Sequence, residues 1–262
     1  RVALMTPRQA PPDDIVVLTI TEETLRQFPY RFPISRTFLA DLVTALNQKG
    51  VRAIGLDILF DQPTEPEADQ ALTQALRDSS VPVVVAYADQ EHLLAEQQQF
   101  LDIFTAGWRR GYVNLPFDNV DGVIRTIFPG RIAPNGRFTP GLATELAGVA
   151  LDTAIPLRYR GVAPGAAVDD LSSAFRHYPA HLAYALPPAW LTGKIVLIGA
   201  ELPINSEDMW KTPFAALLGN KQGLLPGVMI HAHALAQLLE GQRVPVVSLS
   251  TVIGLYCAAA LL

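Results

Sequence analysis

The feature that most constrains this chain is a recurring order of apolar, β-branched runs separated by helix-patterned segments. "IVVLTI" at 15–20 has no polar alternation, as expected of a strand buried on both faces. Residues 36–48, "RTFLADLVTALNQ", place Phe38, Leu39, Leu42, Val43 and Leu46 on one helical face, with Ser35 as N-cap and Gly50 as the stop. A second strand is predicted over 51–60, "VRAIGLDILF", then a helix in "EADQALTQALRD" and a third strand over 81–87. Such alternation is the pattern of parallel βαβ units, so we expect an α/β fold with a mostly parallel sheet and flanking helices. The order returns late, with "GKIVLIGA" at 193–200 and a helix over 227–241.

Between these parts the pattern changes. "EHLLAEQQQF" is compatible with a helix, but "GYVNLPFDNVDGVIRTIFPGRIAPNGRF" reads as hairpins, with turn formers at Asp118, Asn119, Asp121-Gly122 and Asn135-Gly136. "TPGLATELAGVA" reads as a helix and "IPLRYRG" as a strand. We therefore expect one α/β domain over 1–243 with a β-rich insertion or lobe at about 104–160.

The last 19 residues, Val244–Leu262, contain no charged side chain, which is about enough to cross ~30 Å of hydrocarbon as a helix. Two readings fit: the start of a transmembrane segment, and a buried terminal helix. On the first, residues 1–243 stand on one side of a membrane. The N-terminal stretch has no signal-peptide pattern, as in a processed or excised fragment.

Composition narrows the chemistry. Hydrophobic residues are 50 % of the 262, ample for a core, and the formal net charge is -5. That balance argues against a nucleic-acid binder working through bulk charge. Cys257 is the sole cysteine, so neither an intrachain disulfide nor a multi-cysteine zinc site can form. Phosphate loops of the GxGxxG or GxxxxGK[ST] type and a GxSxG elbow are absent.

What remains is a set of acidic residues at the carboxyl ends of the expected strands, where ligands gather in open parallel sheets. Glu22 and Glu23 follow the first strand, Asp57 and Asp61 lie in "LDILFD", and Glu207 and Asp208 follow "KIVLIGA". Asp57 interrupts an apolar run, and a buried carboxylate needs partners. Three roles stay open for it: acceptor for backbone N–H groups or for Arg36 or Arg52, part of a hard-cation site with Asp61 and Asp208, or general acid/base. Like charges cannot gather without compensation, so the cluster calls for Arg36 as a basic partner or for a divalent ion, Ca²⁺ being the better fit outside the cytoplasm. His231 and His233 are two apart; on a helix they point in different directions, and one of them is expected to meet the acidic strand ends.

The chain also resembles the CHASE2 domains, extracytoplasmic sensory modules of bacterial receptors. The resemblance rests on "VVLTITEETLRQF", "FPISRTFLADLVTALNQKGVRAIGLDILFDQP", "ADQALTQALRD", "GYVNLPFDNVDGVIRTIFP", "LTGKIVLIGAELPINSEDMWKTPF" and "LLPGVMIHAHALAQLLEGQ", in family order over about residues 16–242. Position by position, Glu22 and Glu23 stand where the family usually reads Asp-Glu. Arg36 closes its "WPWPR" element, Asp57 and Phe60 belong to "FDxxF", Asp208 follows "IGA", and His231 and Ala232 occupy the late "IHA" block. Phe32 and Ile34 replace common tryptophans, and "ITEET" stands for "IDEES".

The resemblance implies a non-catalytic sensor of a membrane-bound receptor, working as a homodimer on the extracytoplasmic side. It would pass a small-ligand or protein signal through flanking membrane helices to a cytoplasmic output such as an adenylate or guanylate cyclase or a histidine kinase. Two rivals are a metal-assisted hydrolase using Asp57, Asp61 and Asp208, and a purely structural dimerisation module.

Overall fold

The computed structural model describes residues 6–88, 93–132, 136–202, 208–218 and 223–242. The expected membrane segment at 244–262 lies outside them, as do Glu207 and Asn135. Among the described residues no helix is long and apolar enough to cross a membrane.

The chain opens with β1 (Ile15–Ile20), the short α1 (Glu22–Leu25) and α2 (Arg36–Gln48). α2 starts where the Phe38 N–H donates to the Ser35 hydroxyl (3.3 Å), and Gly50 ends it in the left-handed region (φ 67°). Next come β2 (Ala53–Asp57), α3 (Pro66–Asp78), β3 (Val83–Tyr87), α4 (Ala95–Phe104) and β4 (Arg109–Tyr112). β5 (Thr126–Ile127), β6 (Gly130–Ile132), β7 (Phe138–Pro140), α5 (Leu142–Ala147) and β8 (Ile155–Pro156) form the middle of the chain. The last part holds β9 (Arg176–Pro179), β10 (Ile195–Ala200), β11 (Met209–Lys211), α6 (Ala215–Leu218), β12 (Leu224–Pro226) and α7 (Gly227–Leu239).

Six strands form one parallel sheet in the order β4-β3-β2-β10-β1-β9. Successive residues of each strand face opposite sides, so the apolar runs feed two cores. Val16, Leu18, Ile20, Ile54, Leu56, Val196 and Ile198 pack with α2, α3 and Leu101 of α4 on one face. Ile15, Val17, Val84, Ile195 and Leu197 pack with α5 and α7 on the other. α7 is buried at every residue from Gly227 to Leu238, as a helix apolar all round must be.

Residues 104–160 carry turns of the expected kind: Gly122 (φ 73°) closes a turn in which its N–H donates to the Asp118 carbonyl (2.7 Å). The same stretch also builds the main domain. β4 is an edge strand of the large sheet, and α5 approaches it so closely that a Cβ on Gly111 would lie 2.5 Å from the Leu142 Cα. The small antiparallel pairs β5–β8 and β6–β7 are built onto this framework.

Candidate functional site

Asp57 is the last residue of β2, and its register partner on β10 is Gly199. The first turn of α7 comes down at this point. A Cβ on Gly199 would stand 2.6 Å from the Val228 Cβ and 3.2 Å from the Asp57 Cβ, so the missing side chain lets helix and sheet edge meet. Gly227 plays the same part toward Asp208, whose Oδ1 a Cβ there would meet at 2.5 Å. Asp208 accepts a hydrogen bond from Trp210 Nε1 (3.0 Å), and the Gly227 N–H at the positive end of α7 favours its charged form. His231, one turn into α7, turns its Nε2 toward Asp57 Oδ1 at 3.9 Å.

These three groups line a cavity of about 620 Å³ at the carboxyl edge of the sheet. Phe117 and Trp210, stacked with ring centroids 6.3 Å apart, form part of its wall, along with Leu115, Phe128 and Arg131. The Arg131 guanidinium lies 5.7 Å from the centre of the Phe128 ring.

The electrostatics of the cluster follow from burial. The Asp57 side chain is 10 % exposed, and among the described residues no hydrogen bond reaches its carboxylate. Burial alone pushes it up to about 7. Asp208 also rises to about 7, through burial first and the nearby Asp57 charge second, against the opposing Trp210 hydrogen bond. Burial takes His231 down to about 4, although Asp208 and a hydrogen bond with the Val113 backbone favour its charged form. At neutral pH the imidazole is therefore uncharged, and its contact with Asp57 is not an ion pair. His233 points elsewhere, accepting the Arg160 N–H on Nδ1 (3.1 Å) between Tyr159 and Phe175, and burial lowers it to about 3.

The other sequence-predicted residues lie apart from this cavity. Arg36, expected as the basic partner of Asp57, instead donates to Asp69 Oδ1 (3.3 Å) and the Gln62 carbonyl (3.2 Å), with its guanidinium 4.4 Å from the Phe60 ring centre. Asp61 does not line the cavity; it accepts from Gln97 Nε2 (2.6 Å). Glu22 pairs with Arg31 (2.5 Å) on the surface, and Glu23 is exposed in the first turn of α1. Asp57, Asp208 and His231 are thus brought together, whereas Glu22, Glu23, Arg36 and Asp61 are not. Among the described residues no group of three or more His, Cys, Asp or Glu side chains is arranged to hold a metal ion.

A larger cavity of about 850 Å³ lies at the β4 edge, between Arg109, Arg110 and Phe138. Its charges are already matched: Arg109 pairs with Glu145 (2.7 Å), and Asp102 takes both Arg110 (3.4 Å) and the Tyr87 hydroxyl (2.7 Å). The smaller cavity, with its unmatched carboxylate, is the stronger candidate.

Sequence reasoning missed Trp210, Gly227, Val113 and Arg131. Gly227 carried a usable signal, because a glycine opening an otherwise apolar helix marks a close approach. Arg131 and Val113 carried none: Arg131 comes from the small β6–β7 pair and Val113 directly follows the edge strand β4.

Of known families, the model of the CHASE2 domain matches residues 2–262. No curated protein and no solved structure matches the chain.

Proposed function

Because the chain belongs to the CHASE2 domain family, a family of extracytoplasmic sensory domains, we propose that it is the input module of a membrane receptor and that the Asp57–Asp208–His231 cavity is where the input is read. The observation that carries this reading is the position of α7. The helix supplies Gly227 and His231 to the cavity and ends at Leu239, five residues before the uncharged run that starts at Val244. A ligand that prefers one seating of α7 over another would shift that helix and with it the segment at 244–262, which in this proposal enters the membrane. Only such differential affinity can bias a two-state receptor. A cytoplasmic cyclase or kinase would then report the shift, within a homodimer.

A hydrolase built on Asp57, Asp61 and Asp208 is disfavoured, because Asp61 is engaged by Gln97 and stands off the cavity.

The test is output activity of the intact receptor in membranes, with Leu115→Trp filling the cavity and Leu94→Ser as an exposed control. The proposal expects Leu115→Trp to lock the output high or low and Leu94→Ser to leave it unchanged. A folded Leu115→Trp receptor with wild-type basal output and wild-type response would overturn it.

A further inference from the structure

The cavity also limits what can fill it. We propose that its ligand is a primary amine with an apolar body, its ammonium group held by Asp57 and Asp208 and its body against Leu115, Phe117, Phe128 and Trp210. This rests on the reading of the cavity as the input site and gives that input a chemical class.

The ammonium end follows from Asp57. Its side chain is nine-tenths buried and faces the cavity, and no hydrogen bond from any described residue reaches its carboxylate. Buried carboxylates in folded proteins are satisfied, so the missing donors are expected from what binds, and an ammonium group brings three. Asp208 adds a second carboxylate to the same wall, oriented by Trp210 Nε1 (3.0 Å) and close enough for the Asp57 charge to act on it. A carboxylate accepts at about four lone-pair positions, so the Trp210 bond leaves Asp208 able to take another donor. The other charged or titratable groups of the wall do not fill the cation's place. His231 is uncharged at neutral pH. The Arg131 guanidinium is engaged over the rings of Phe128 (5.7 Å) and Tyr112 (5.9 Å), and burial is the whole cause of the shift at Asp57, which an arginine beside it would oppose.

The apolar body follows from the rest of the lining. The stacked Phe117 and Trp210 rings offer aromatic faces to a cation and to a second ring alike, and Leu115 and Phe128 continue the apolar wall. A diamine would bring a second charge against these side chains and lose its hydration there without a carboxylate to meet it. A quaternary ammonium has no N–H to give Asp57. Ca²⁺ takes about six to eight oxygens, and among the described residues no three His, Cys, Asp or Glu side chains are arranged to hold a metal ion.

The experiment uses the whole chain in detergent micelles, with thermal shift and titration calorimetry. The probes are 2-phenylethylamine and hexylamine, with 2-phenylethanol, 3-phenylpropanoate and 1,4-diaminobutane as controls. At pH 8 at least one amine should raise Tm and bind, while no control does so at the same concentration. Asp57→Asn and Asp208→Asn should each weaken that binding at least about tenfold, with both variants still unfolding cooperatively. A second reading needs no variant. The amines stay protonated from pH 6 to 8, whereas carboxylates raised to about 7 pass from mostly neutral to mostly charged, so affinity should rise about tenfold over that span. Absence of binding by both amines, equal binding by 2-phenylethanol or the diamine, unchanged affinity in a folded Asp57→Asn, or affinity that stays flat from pH 6 to 8 would overturn the proposal.

The receptor assay separates this from the parent reading. Cavity filling that alters output while neither amine binds removes the ligand class and keeps the sensor. An amine that binds through Asp57 and Asp208 without affecting output, in a receptor indifferent to Leu115→Trp, supports the ligand class and removes the input site.

Discussion

The Arg36 and Asp57 side chains are both at least nine-tenths buried, and the motif that contains Asp57 also supplies Phe60, on which Arg36 rests, yet their surroundings follow opposite plans. The Arg36 guanidinium has Asp69, the Gln62 carbonyl and the face of Phe60, and Asp69 in turn takes the Thr64 N–H (3.0 Å) and hydroxyl (2.7 Å). This network ties the β2–α3 loop to the first turn of α2. Asp57 has a carboxylate neighbour, a neutral imidazole and open space. A saturated buried charge holds a fold in place. An unsaturated one costs stability and persists where something else makes use of it.

Four measurements would break or sharpen that contrast. Arg36→Ala removes one partner from a buried pair and should cost roughly 3–5 kcal/mol, lowering Tm by on the order of 10 °C. A loss below about 1 kcal/mol in denaturant melts would mean that the saturated network is not what secures the loop. Gly199→Ala puts a methyl group 2.6 Å from the Val228 Cβ and should destabilise by about 1–3 kcal/mol through displacement of α7. Unchanged stability would show that the contact between α7 and the sheet end yields freely.

Asp57→Asn goes the other way. Above pH 7 it removes a buried charge without donors and should raise Tm by a few degrees, on the order of 1–2 kcal/mol. A structural acceptor, one of the three roles that its sequence context leaves open, calls for the opposite sign; a drop of several degrees would favour that role.

The smallest effect is in the pH profile. Between about pH 4 and 6.5 the folded Asp57 and Asp208, raised from 3.8 to about 7, keep protons that the unfolded chain releases, so their contribution to stability falls as pH rises. Over the same span unfolded histidines bind protons that His231 and His233, lowered from 6.5 to about 4 and about 3, refuse, so theirs rises. The two nearly cancel, giving a flat Tm up to pH 6.5 and a decline through about 7. In Asp57→Asn one falling contribution is gone, and Tm should climb from pH 4 to 6.5. Parallel profiles for variant and wild type would show that Asp57 does not titrate in this range.

The elements legible in the sequence are those whose own residues decide them. β1 and α2 match their expected bounds of 15–20 and 36–48, because an unbroken β-branched run and a capped amphipathic helix are local facts. β2 is shorter than its apolar run: it ends at Asp57, and Ile58 and Phe60 continue as buried loop. β9, "RHYP", shows no strand pattern, since an edge position with one neighbour tolerates polar residues. The site was half visible. Asp57, Asp208 and His231 stood out as polar groups at the ends of apolar segments, but whether Arg36 turns toward Asp57 or Asp69 depends on loop geometry that no spacing encodes.

The position of β10 bears on how the chain is assembled in time. It alone joins β2 to β1, and its residues 195–200 arrive late in the chain. Until they do, β2–β3–β4 and β1–β9 are two separate ribbons, each with an open edge where β10 should lie. A nascent chain must therefore hold these edges unpaired until β10 is made, an interval in which self-association competes with folding. Completion is then abrupt: one six-residue strand closes both edges at once and places Gly199 beneath the first turn of α7.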